Sequence, residues 1–391
     1  MFFSGRWRAP LIGIAGALLA CAPATVVADT AAAVASTTSA TPATTCRIAF
    51  DLGSSGIRAG ATGSTATPRT DIDYLPPLWA GQRMETLAAP TIAALQALPE
   101  KGGFAPDCAR AAAGFSAWRL ALRQEGASLG STLARIHAAS GVAVLIVPQS
   151  AEGRYAYAGA QQQLGARLNS SHVVDIGGGS LQVAGEGSSF GAELGQKAWH
   201  RTLCQSLRQT TDIPCRLQPM SAGELQRART LLAERLGGIG TALPDNVTLT
   251  AISRPVTRGV HPALLRLNPR REQEAAPDRT AIRQSDLAAA IARLSEVNLE
   301  ETAALVDLKP SRAAYLLSDL LLVQGLLTAT GSDTLHVAEA DITNLPGLLA
   351  DDRAFAWSRR YTCYLARVAE RGLAAYDSDP GSCPDEPGQR K

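Results

Sequence analysis

Two short glycine- and serine-rich turns follow apolar strand-like runs in this chain, and an aspartate precedes each of them. The first turn runs Asp51-Leu-Gly53-Ser54-Ser55-Gly56, and the second runs Asp175-Ile-Gly177-Gly178-Gly179-Ser180. Glycine lets a backbone approach phosphate oxygens closely, because it has no Cβ and accepts positive φ. One such turn is common at the end of a strand, but two indicate a duplicated fold whose halves bind a polyphosphate from opposite sides.

The side chains of the two turns supply the other parts of a phosphate site. Ser54, Ser55 and Ser180 carry hydroxyl donors. Asp51 and Asp175 can hold Mg²⁺ or another divalent cation through water, because such hard cations prefer oxygen ligands and keep part of their hydration. The alternative interpretation is that the two aspartates only cap their turns.

The N-terminal residues have the form of an export signal. Arg6 and Arg8 precede the apolar run 11–20, which is too short to span a bilayer as a helix. Residues 1–28 are therefore predicted to be a signal peptide, and residues 29–45, rich in Ala, Thr and Ser, a flexible tether. Leu18-Leu-Ala-Cys21 resembles a lipoprotein cleavage box and predicts a lipid anchor at Cys21, with cleavage after Ala28 as the alternative. Both interpretations predict an exported, periplasmic protein.

The cysteine count agrees with export. The chain has 7 cysteines, so an even number remains when Cys21 is set aside, and an oxidising compartment can pair all of them. A metal site is less favoured, because no two cysteines have zinc-ribbon spacing. The predicted pairs are Cys46 with Cys108 at the starts of two neighbouring parallel strands, Cys204 with Cys215, and Cys363 with Cys383.

Strand-like and helix-like segments alternate along the chain, as in α/β folds with a largely parallel sheet. The net charge of +2 indicates neither a nucleic-acid-binding protein nor a polybasic membrane patch. The predicted domains are 46–168, 169–350 and a C-terminal helix and tail, 351–391, that packs on the first domain. Predicted strands are 48–50, 111–115, 142–147, 173–176, 181–184 and 334–337; predicted helices are 120–139, 222–236, 284–297, 299–304, 312–328 and 353–376.

Taken in order, the motifs resemble those of the exopolyphosphatase/guanosine pentaphosphatase (Ppx/GppA) family, which belongs to the superfamily of actin, sugar kinases and heat-shock chaperones. The resemblance covers about residues 46–349. It implies a two-domain actin-like (ribonuclease H-like) α/β fold, with mixed sheets flanked by helices and an active-site cleft between the domains. It also implies metal-dependent hydrolysis that releases terminal phosphate from polyphosphate or a guanosine pentaphosphate-like nucleotide.

The resemblance assigns roles to individual residues. Gln149-Ser-Ala-Glu152-Gly-Arg154 occupies the place of the family's catalytic segment, which makes Glu152 the group that orients and deprotonates water. In Gly114-Phe-Ser116-Ala-Trp-Arg119, the serine and arginine are the family's phosphate contacts. The predicted phosphate-binding residues are Gly53, Ser54, Ser55, Gly56, Ser116, Arg119, Gly177, Gly178, Gly179 and Ser180.

The chain also departs from the family pattern. Gln182 stands where members usually have a glutamate, and an amide there can orient the water without taking its proton. Ser253-Arg254-Pro255 replaces a later glycine-rich turn. A glutamine after the second turn also resembles the apyrases, so an apyrase-like nucleoside tri/diphosphatase is the alternative enzyme. A catalytically silent phosphate- or nucleotide-binding protein is the alternative outside enzymes.

A basic stretch lies in the second half of the chain, and it has two interpretations: a track for a long anionic chain, or a solvated loop. Four histidines lack metal-ligand spacing and are interpreted as structural: His137, His172, His200 and His336. The sequence leaves a homodimer open. The basic stretch consists of Arg254, Arg258, His261, Arg266, Arg270 and Arg271.

Overall fold

The computed structural model describes residues 46–386. The predicted signal peptide 1–28 with Cys21, the tether 29–45 and the last five residues of the tail lie outside the described residues. The described part of the chain is built around two mixed β-sheets.

The first sheet has five strands in the order β3-β2-β1-β4-β5. β1 and β2 form an antiparallel hairpin, and β4 and β5 continue the sheet in parallel with β1. The strands are β1 (Arg47–Gly53), β2 (Gly56–Ala61), β3 (Arg69–Thr70), β4 (Ala109–Gly114) and β5 (Ala143–Ile146).

The second sheet has six strands in the order β10-β11-β9-β6-β7-β8 and repeats this plan. β6 and β7 form the hairpin, and β9 and β11 continue the sheet in parallel with β6. The repeat confirms the duplicated fold that the two turns predict, because each turn joins the first two strands of one sheet. The strands are β6 (His172–Ile176), β7 (Leu181–Gly185), β8 (Ser189–Ala192), β9 (Leu249–Ala251), β10 (Ala281–Arg283) and β11 (Thr334–Val337).

Helices flank both sheets, as the α/β prediction requires. Those up to residue 164 are α1 (Leu75–Trp79), α2 (Ala88–Lys101), α3 (Ser116–Glu125), α4 (Leu129–Ser140) and α5 (Gln149–Leu164). The next are α6 (Gln196–Arg208), α7 (Ala222–Leu236), α8 (Ile239–Ala242), α9 (His261–Leu267), α10 (Ala276–Arg279), α11 (Gln284–Ser295), α12 (Leu299–Val306) and α13 (Pro310–Thr330). The last are α14 (Leu345–Leu349), α15 (Asp352–Ser358) and α16 (Tyr361–Arg371).

Two predicted helices are broken in the structure. The segment 120–139 is divided into α3 and α4, because Gly126 takes a φ of +54° and ends α3. The segment 353–376 is divided into α15 and α16, because the backbone at Arg360 is not helical, and Gly372 with a φ of +57° ends α16. The hydrophobic pattern continues across both breaks, so it does not reveal them.

The two terminal helices complete the core of the first sheet. Trp357, Tyr361 and Tyr364 are buried in the same hydrophobic cluster as β1, β4 and β5. The Tyr361 hydroxyl donates to the carbonyl of Val144 at 2.9 Å, and the Trp357 indole N–H donates to the carbonyl of Tyr376 at 3.1 Å. These buried polar groups are therefore satisfied, which fixes the helices against the sheet.

Helix α13 crosses the core of the second sheet. It is long and apolar enough to span a membrane by length and composition, but 67% of its most apolar window is buried inside the protein. Such burial is typical of the core helix of a globular domain. Apolar residues of α13 pack in one cluster with those of β6, β7, β9 and α7.

All three predicted cysteine pairs form disulfides: Cys46–Cys108, Cys204–Cys215 and Cys363–Cys383. Cys46 and Cys108 immediately precede the parallel strands β1 and β4, where Arg47 is paired with Ala109. This confirms the neighbouring-strand argument for that bridge.

Candidate active site

A cleft of about 300 Å³ opens where the β1–β2 and β6–β7 turns face each other. The strand ends bring both turns to it, together with the start of α3 and the first turn of α5. Most of the predicted site residues line this cleft: Asp51, Gly53, Ser54, Ser55, Gly56, Ser116, Glu152, Asp175, Gly177, Gly178 and Ser180.

The two turns approach each other so closely that glycine is required. A Cβ on Gly178 would lie 2.3 Å from the Ser54 hydroxyl oxygen of the opposite turn. Gly56 has a φ of +149°, and a Cβ there would lie 2.4 Å from the carbonyl oxygen of Thr70. Larger residues at these positions would separate the turns or distort the hairpin.

The second turn is fixed by the start of α6. The backbone N–H groups of Gln196 and Lys197 donate to the carbonyls of Gly177 and Gly178, both at 2.9 Å. The N–H groups of Gly178 and Gly179 have no acceptor among the described residues. Their donors are therefore available to an anion, as in other backbone phosphate cradles.

Three carboxyl groups gather at the floor of the cleft. Burial raises the pKa of Asp51 to about 6, with Arg58 opposing the rise and Glu152 adding to it. Burial, and then repulsion from Glu152 and Asp51, raises the pKa of Asp175 to about 7. These acids repel one another across a poorly solvated space, so an added cation would be stabilising there.

Two buried side chains, Arg119 and Gln182, contact one carboxyl oxygen of Glu152. Arg119 Nη1 lies 2.7 Å from Glu152 Oε2, and Gln182 Nε2 donates to the same oxygen at 3.1 Å. Burial raises the pKa of Glu152, and the Arg119 charge and hydrogen bond oppose that rise. The other carboxyl oxygen, Oε1, makes no hydrogen bond to a described residue.

Arg119 therefore takes a position different from the predicted phosphate contact. It is 2% exposed and does not line the cleft. Its guanidinium donates to the carbonyl of Val147 and to the Ser180 hydroxyl, both at 2.9 Å, besides pairing with Glu152. These contacts join the second turn to α5 through Arg119, and its contact with a phosphate stays a prediction.

Gln182 and Gly179 are also displaced from their predicted positions in the cleft. Gln182 is 1% exposed and donates to Glu152 and, at 2.9 Å, to the Ser180 hydroxyl, so in this structure it orients the acid. Gly179 lines a smaller cavity on the other side of the turn, together with Ser116.

Four cationic side chains at the cleft were not predicted as site residues: Arg58, Arg69, Lys197 and Arg254. Arg58 is paired with Asp51 across the β1–β2 hairpin, so the hairpin register could have found it. Arg69 comes from the two-residue strand β3, which carries no motif. The cleft thus combines an acidic floor with basic walls.

Comparison with known proteins agrees with this geometry. The family model described as the Ppx/GppA phosphatase family matches residues 129–342, more than half of the chain. The chain belongs to the Ppx/GppA phosphatase family. No curated protein sequence matches it significantly.

Solved structures of Ppx/GppA proteins share the fold. The Aquifex aeolicus PPX-GPPA enzyme is 19% identical, with a TM-score of 0.57, and 78% of this chain and 98% of that chain are covered. The type II variant of the Aquifex aeolicus Ppx/GppA phosphatase is 17% identical, with a TM-score of 0.55 and the same coverage. An exopolyphosphatase from Cytophaga hutchinsonii is 15% identical, with a TM-score of 0.53, and 78% and 96% are covered. The fold is the two-domain actin-like α/β fold.

In this Ppx/GppA protein, the residues of the basic stretch lie in different environments. Arg254 lines the cleft, whereas Arg271 is 1% exposed and pairs with Asp286 at 3.0 Å. Arg266 pairs with Asp307 at 3.6 Å. The stretch as a whole is therefore not a single track, because its members point in different directions from a turn and two short helices.

The departures of this member from the family pattern lie beside the phosphate turns. Ser253, in the replaced glycine-rich turn, is 7% exposed, lines the cleft, and its hydroxyl has no partner among the described residues.

His200 lies near Cys204 and Cys215, but the disulfide between the cysteines removes both thiolates as metal ligands. His200 instead hydrogen-bonds to the Ser318 hydroxyl at 3.1 Å and the Cys215 carbonyl at 3.2 Å.

Proposed function

We propose that this protein is an exported, metal-dependent phosphoanhydride hydrolase that releases terminal phosphate from polyphosphate or a guanosine pentaphosphate-like nucleotide. The observation that carries the proposal is the position of Glu152. One oxygen is fixed by Arg119 and Gln182, and the carboxyl group lines a cleft between two glycine turns. A general base must be both oriented and accessible to the water it deprotonates.

The turns and the basic walls bind the substrate. The free N–H group of Gly178 and the hydroxyls of Ser54 and Ser180 are donors for the oxygens of a terminal phosphate. Arg58, among the cleft cations, has no carboxylate within salt-bridge distance among the described residues. Such donors stabilise the charge that accumulates on a transferred phosphoryl group.

Asp51 and Asp175 fit a divalent cation. Burial raises their carboxyl pKa values, repulsion among the three acids of the cleft floor raises them further, and a divalent cation would relieve that repulsion. Mg²⁺ favours such oxygen ligands and retains water. When bound, the ion would neutralise charge on the phosphates of the substrate.

Glu152 performs the proton step in this proposal. Oε1 accepts a proton from the attacking water, while Arg119 and Gln182 keep Oε2 fixed and hold negative charge on the group. The raised pKa of Glu152 makes it a stronger base than an ordinary exposed glutamate. Gln182 thus supports the base and takes no proton itself.

Export is supported by the leader pattern and by the pairing of all six remaining cysteines. Stable disulfides are rare in cytosolic proteins and common in secreted and periplasmic ones. A lipid anchor at Cys21 remains part of the proposal, with cleavage after Ala28 as its alternative. A labelled-lipid incorporation assay on the full chain and on Cys21→Ala distinguishes the two.

The test of the activity is phosphate release from polyphosphate, guanosine pentaphosphate and ATP by the mature protein, with Mg²⁺ and with a chelator. The proposal expects Mg²⁺-dependent release from polyphosphate or guanosine pentaphosphate. Faster release from ATP would instead support the apyrase-like alternative. Substrate binding without release under any condition would support the silent binding protein.

A further inference from the structure

A second cavity, of about 270 Å³, lies on the other side of the second turn from the cleft. We call it the rear cavity, and its lining includes Trp79, Gly179, Arg201 and Arg235. Gly178 lines the cleft and Gly179 lines the rear cavity, so the second turn separates the two spaces. The other walls come from α1, α3, α6 and the end of α7.

The charged side chains that line the rear cavity are mostly cationic. They are Arg123, Arg201 and Arg235, and Glu193 is the one acid among the described residues of the lining. The charge of Glu193 is already neutralised, because this side chain forms an ion pair with Arg123. Arg201 and Arg235 form no ion pair with a described residue. Two positive charges therefore lack a counter-charge in this cavity.

Arg201 is held in place, but its charge has no partner. Its guanidinium carbon lies 5.2 Å from the centroid of the Trp79 ring, and this cation–π contact holds the side chain against one wall of the cavity. The Nε atom of Arg201 is buried and makes no hydrogen bond to a described residue. Burial lowers the pKa of Arg201, because it penalises the charged form. An anion beside this guanidinium would offset that cost.

Three elements contribute unused hydrogen-bond donors to the same cavity. Arg201 comes from α6, Arg235 comes from the last turn of α7, and Gly179 comes from the second turn. The N–H group of Gly179 has no acceptor among the described residues. Guanidinium groups and free backbone N–H groups are the donors with which proteins commonly bind oxyanions. The rear cavity thus has both the charge and the donors of an anion site.

The charge balance favours a phosphate group over a carboxylate. A phosphate group carries a charge close to −2 at neutral pH and has three acceptor oxygens, so it matches two uncompensated arginines. A carboxylate would leave one of them unmatched. The volume of the cavity is near the lower end of the range of small-ligand sites, about 300 Å³. Leu75, Trp79 and Leu120 give it an apolar wall, against which a small organic group can pack.

We propose that the rear cavity is an anion site, separate from the cleft, that binds a phosphate group with Arg201 and Arg235. The phosphate group is free orthophosphate or the phosphate of a small organic monoester whose remainder packs on Trp79 and Leu120. The site does not depend on the proposed function, because none of the arginines that line the rear cavity lines the cleft. Binding should weaken with added salt, because both arginine contacts are electrostatic.

The test is equilibrium binding of orthophosphate, a nucleoside monophosphate and acetate to the mature protein in a chelator. Arg201→Gln and Arg235→Gln should each weaken phosphate binding about tenfold, the scale of one charge-assisted hydrogen bond. Arg227→Gln is the matched control and should bind as the unmodified protein does, because Arg227 is an exposed residue of α7 that lines neither cavity. Tighter binding of the monophosphate than of orthophosphate would identify an organic phosphate as the ligand, and equal affinities would identify free phosphate.

The NMR signal of the Trp79 indole N–H, assigned with Trp79→Phe, distinguishes phosphate in the rear cavity from phosphate in the cleft. This signal should shift as orthophosphate is added, and equally in Arg58→Gln, because Arg58 lines the cleft and not the rear cavity. A signal that does not move, or equal phosphate affinities in Arg201→Gln, Arg235→Gln and the unmodified protein, would overturn the site. Tighter binding of acetate than of orthophosphate would also overturn it. A protein that binds phosphate in this way but hydrolyses no phosphoanhydride would overturn only the proposed function.

Discussion

Arg119 and Glu152 form an ion pair that is almost completely buried. Their closest atoms are 2.7 Å apart, and the two side chains are 2% and 7% exposed. Arg119 comes from the helix after β4, and Glu152 from the helix after β5. The pair therefore links the helices that follow β4 and β5. Arg119 also contacts Ser180, so the pair connects these helices to the second turn.

Replacing Arg119 tests this connection. Arg119→Met should lower the free energy of unfolding by about 3–5 kcal/mol, because it leaves Glu152 buried without its counter-charge. Adding Glu152→Gln should recover part of that loss. The matched control is Arg123→Met, one turn along α3, whose pair with Glu193 is about half-exposed and is worth about 0–1 kcal/mol.

The pH dependence of the rate shows whether Arg119 controls the pKa of Glu152 or only stabilises the fold. Arg119→Met should raise the pKa of Glu152 and move the acid limb of the rate profile to higher pH. Denaturant unfolding of all three variants measures stability, and the pH–rate profiles of Arg119→Met and Arg123→Met report the pKa of Glu152. Equal destabilisation by Arg119→Met and Arg123→Met, with unchanged profiles, would show that Arg119 does not control Glu152.

Substituting Gln182 tests the second support of Glu152. Gln182→Glu would place another carboxylate against Glu152 Oε2, so the loss of stability should grow with pH by about 1.4 kcal/mol per unit over the range in which that carboxyl ionises. Gln182→Met loses only hydrogen bonds, at a cost of about 1–3 kcal/mol that varies less steeply with pH than the loss in Gln182→Glu. Unfolding curves at mildly acid and neutral pH, in a chelator, measure both. Parallel losses at the two pH values would contradict the contact.

The acid pair predicts a link between pH and metal binding. The folded-state pKa values of Asp51 and Asp175, about 6 and about 7, lie above those of an unfolded chain. Both groups therefore contribute stability below the ordinary carboxyl pKa, and that contribution is lost as pH rises through about 6 to 7. The metal-free protein should become less stable over this range, whereas stabilisation by Mg²⁺ should increase.

Substitutions of the acids complete this test. Asp51→Asn and Asp175→Asn should each flatten the pH dependence and remove most Mg²⁺-dependent turnover while the fold persists. Thermal unfolding with and without Mg²⁺ measures the first effect, and phosphate release the second. Full turnover in either variant would rule out metal binding by the pair.

The disulfides can be tested without any substrate. Non-reducing mass spectrometry of the mature protein should find the three linked peptides and no free thiol, because Cys21 is either lipidated or removed with the leader. Removing the Cys46–Cys108 bridge, which spans 62 residues, should cost about 2–4 kcal/mol, and more than removing Cys363–Cys383, which spans 20. A free thiol at Cys46 or Cys108 in the native protein would contradict the pairing.

The sequence predicted features that depend on chain order. The two turns indicated a duplicated fold because the same motif, which is common singly at strand ends, occurs twice in the chain. The Cys46–Cys108 bridge followed from the expectation that β1 and β4 are parallel neighbours, and the register of Arg47 with Ala109 confirms it. Such inferences need only local chemistry and strand direction.

Features that depend on packing could not be predicted in the same way. Nothing in the sequence shows that Arg119 and Gln182 contact Glu152. Their contact and burial arise because α3, α5 and β7 pack against one another. Arg69 reaches the cleft from a short edge strand that has no pattern. The breaks in two predicted helices were missed because apolar spacing continues across Gly126 and Arg360.

The most direct test of the central claim is polyphosphate turnover by Glu152→Gln, measured together with polyphosphate binding and compared with Glu186→Gln, an exposed acid outside the cleft. The account predicts a loss of about 10²-fold or more in turnover, the scale of losing a general base, with binding retained. Glu186→Gln should match the unmodified protein. Unchanged turnover in Glu152→Gln would contradict the role of Glu152, and binding without turnover in all three proteins would contradict catalysis itself.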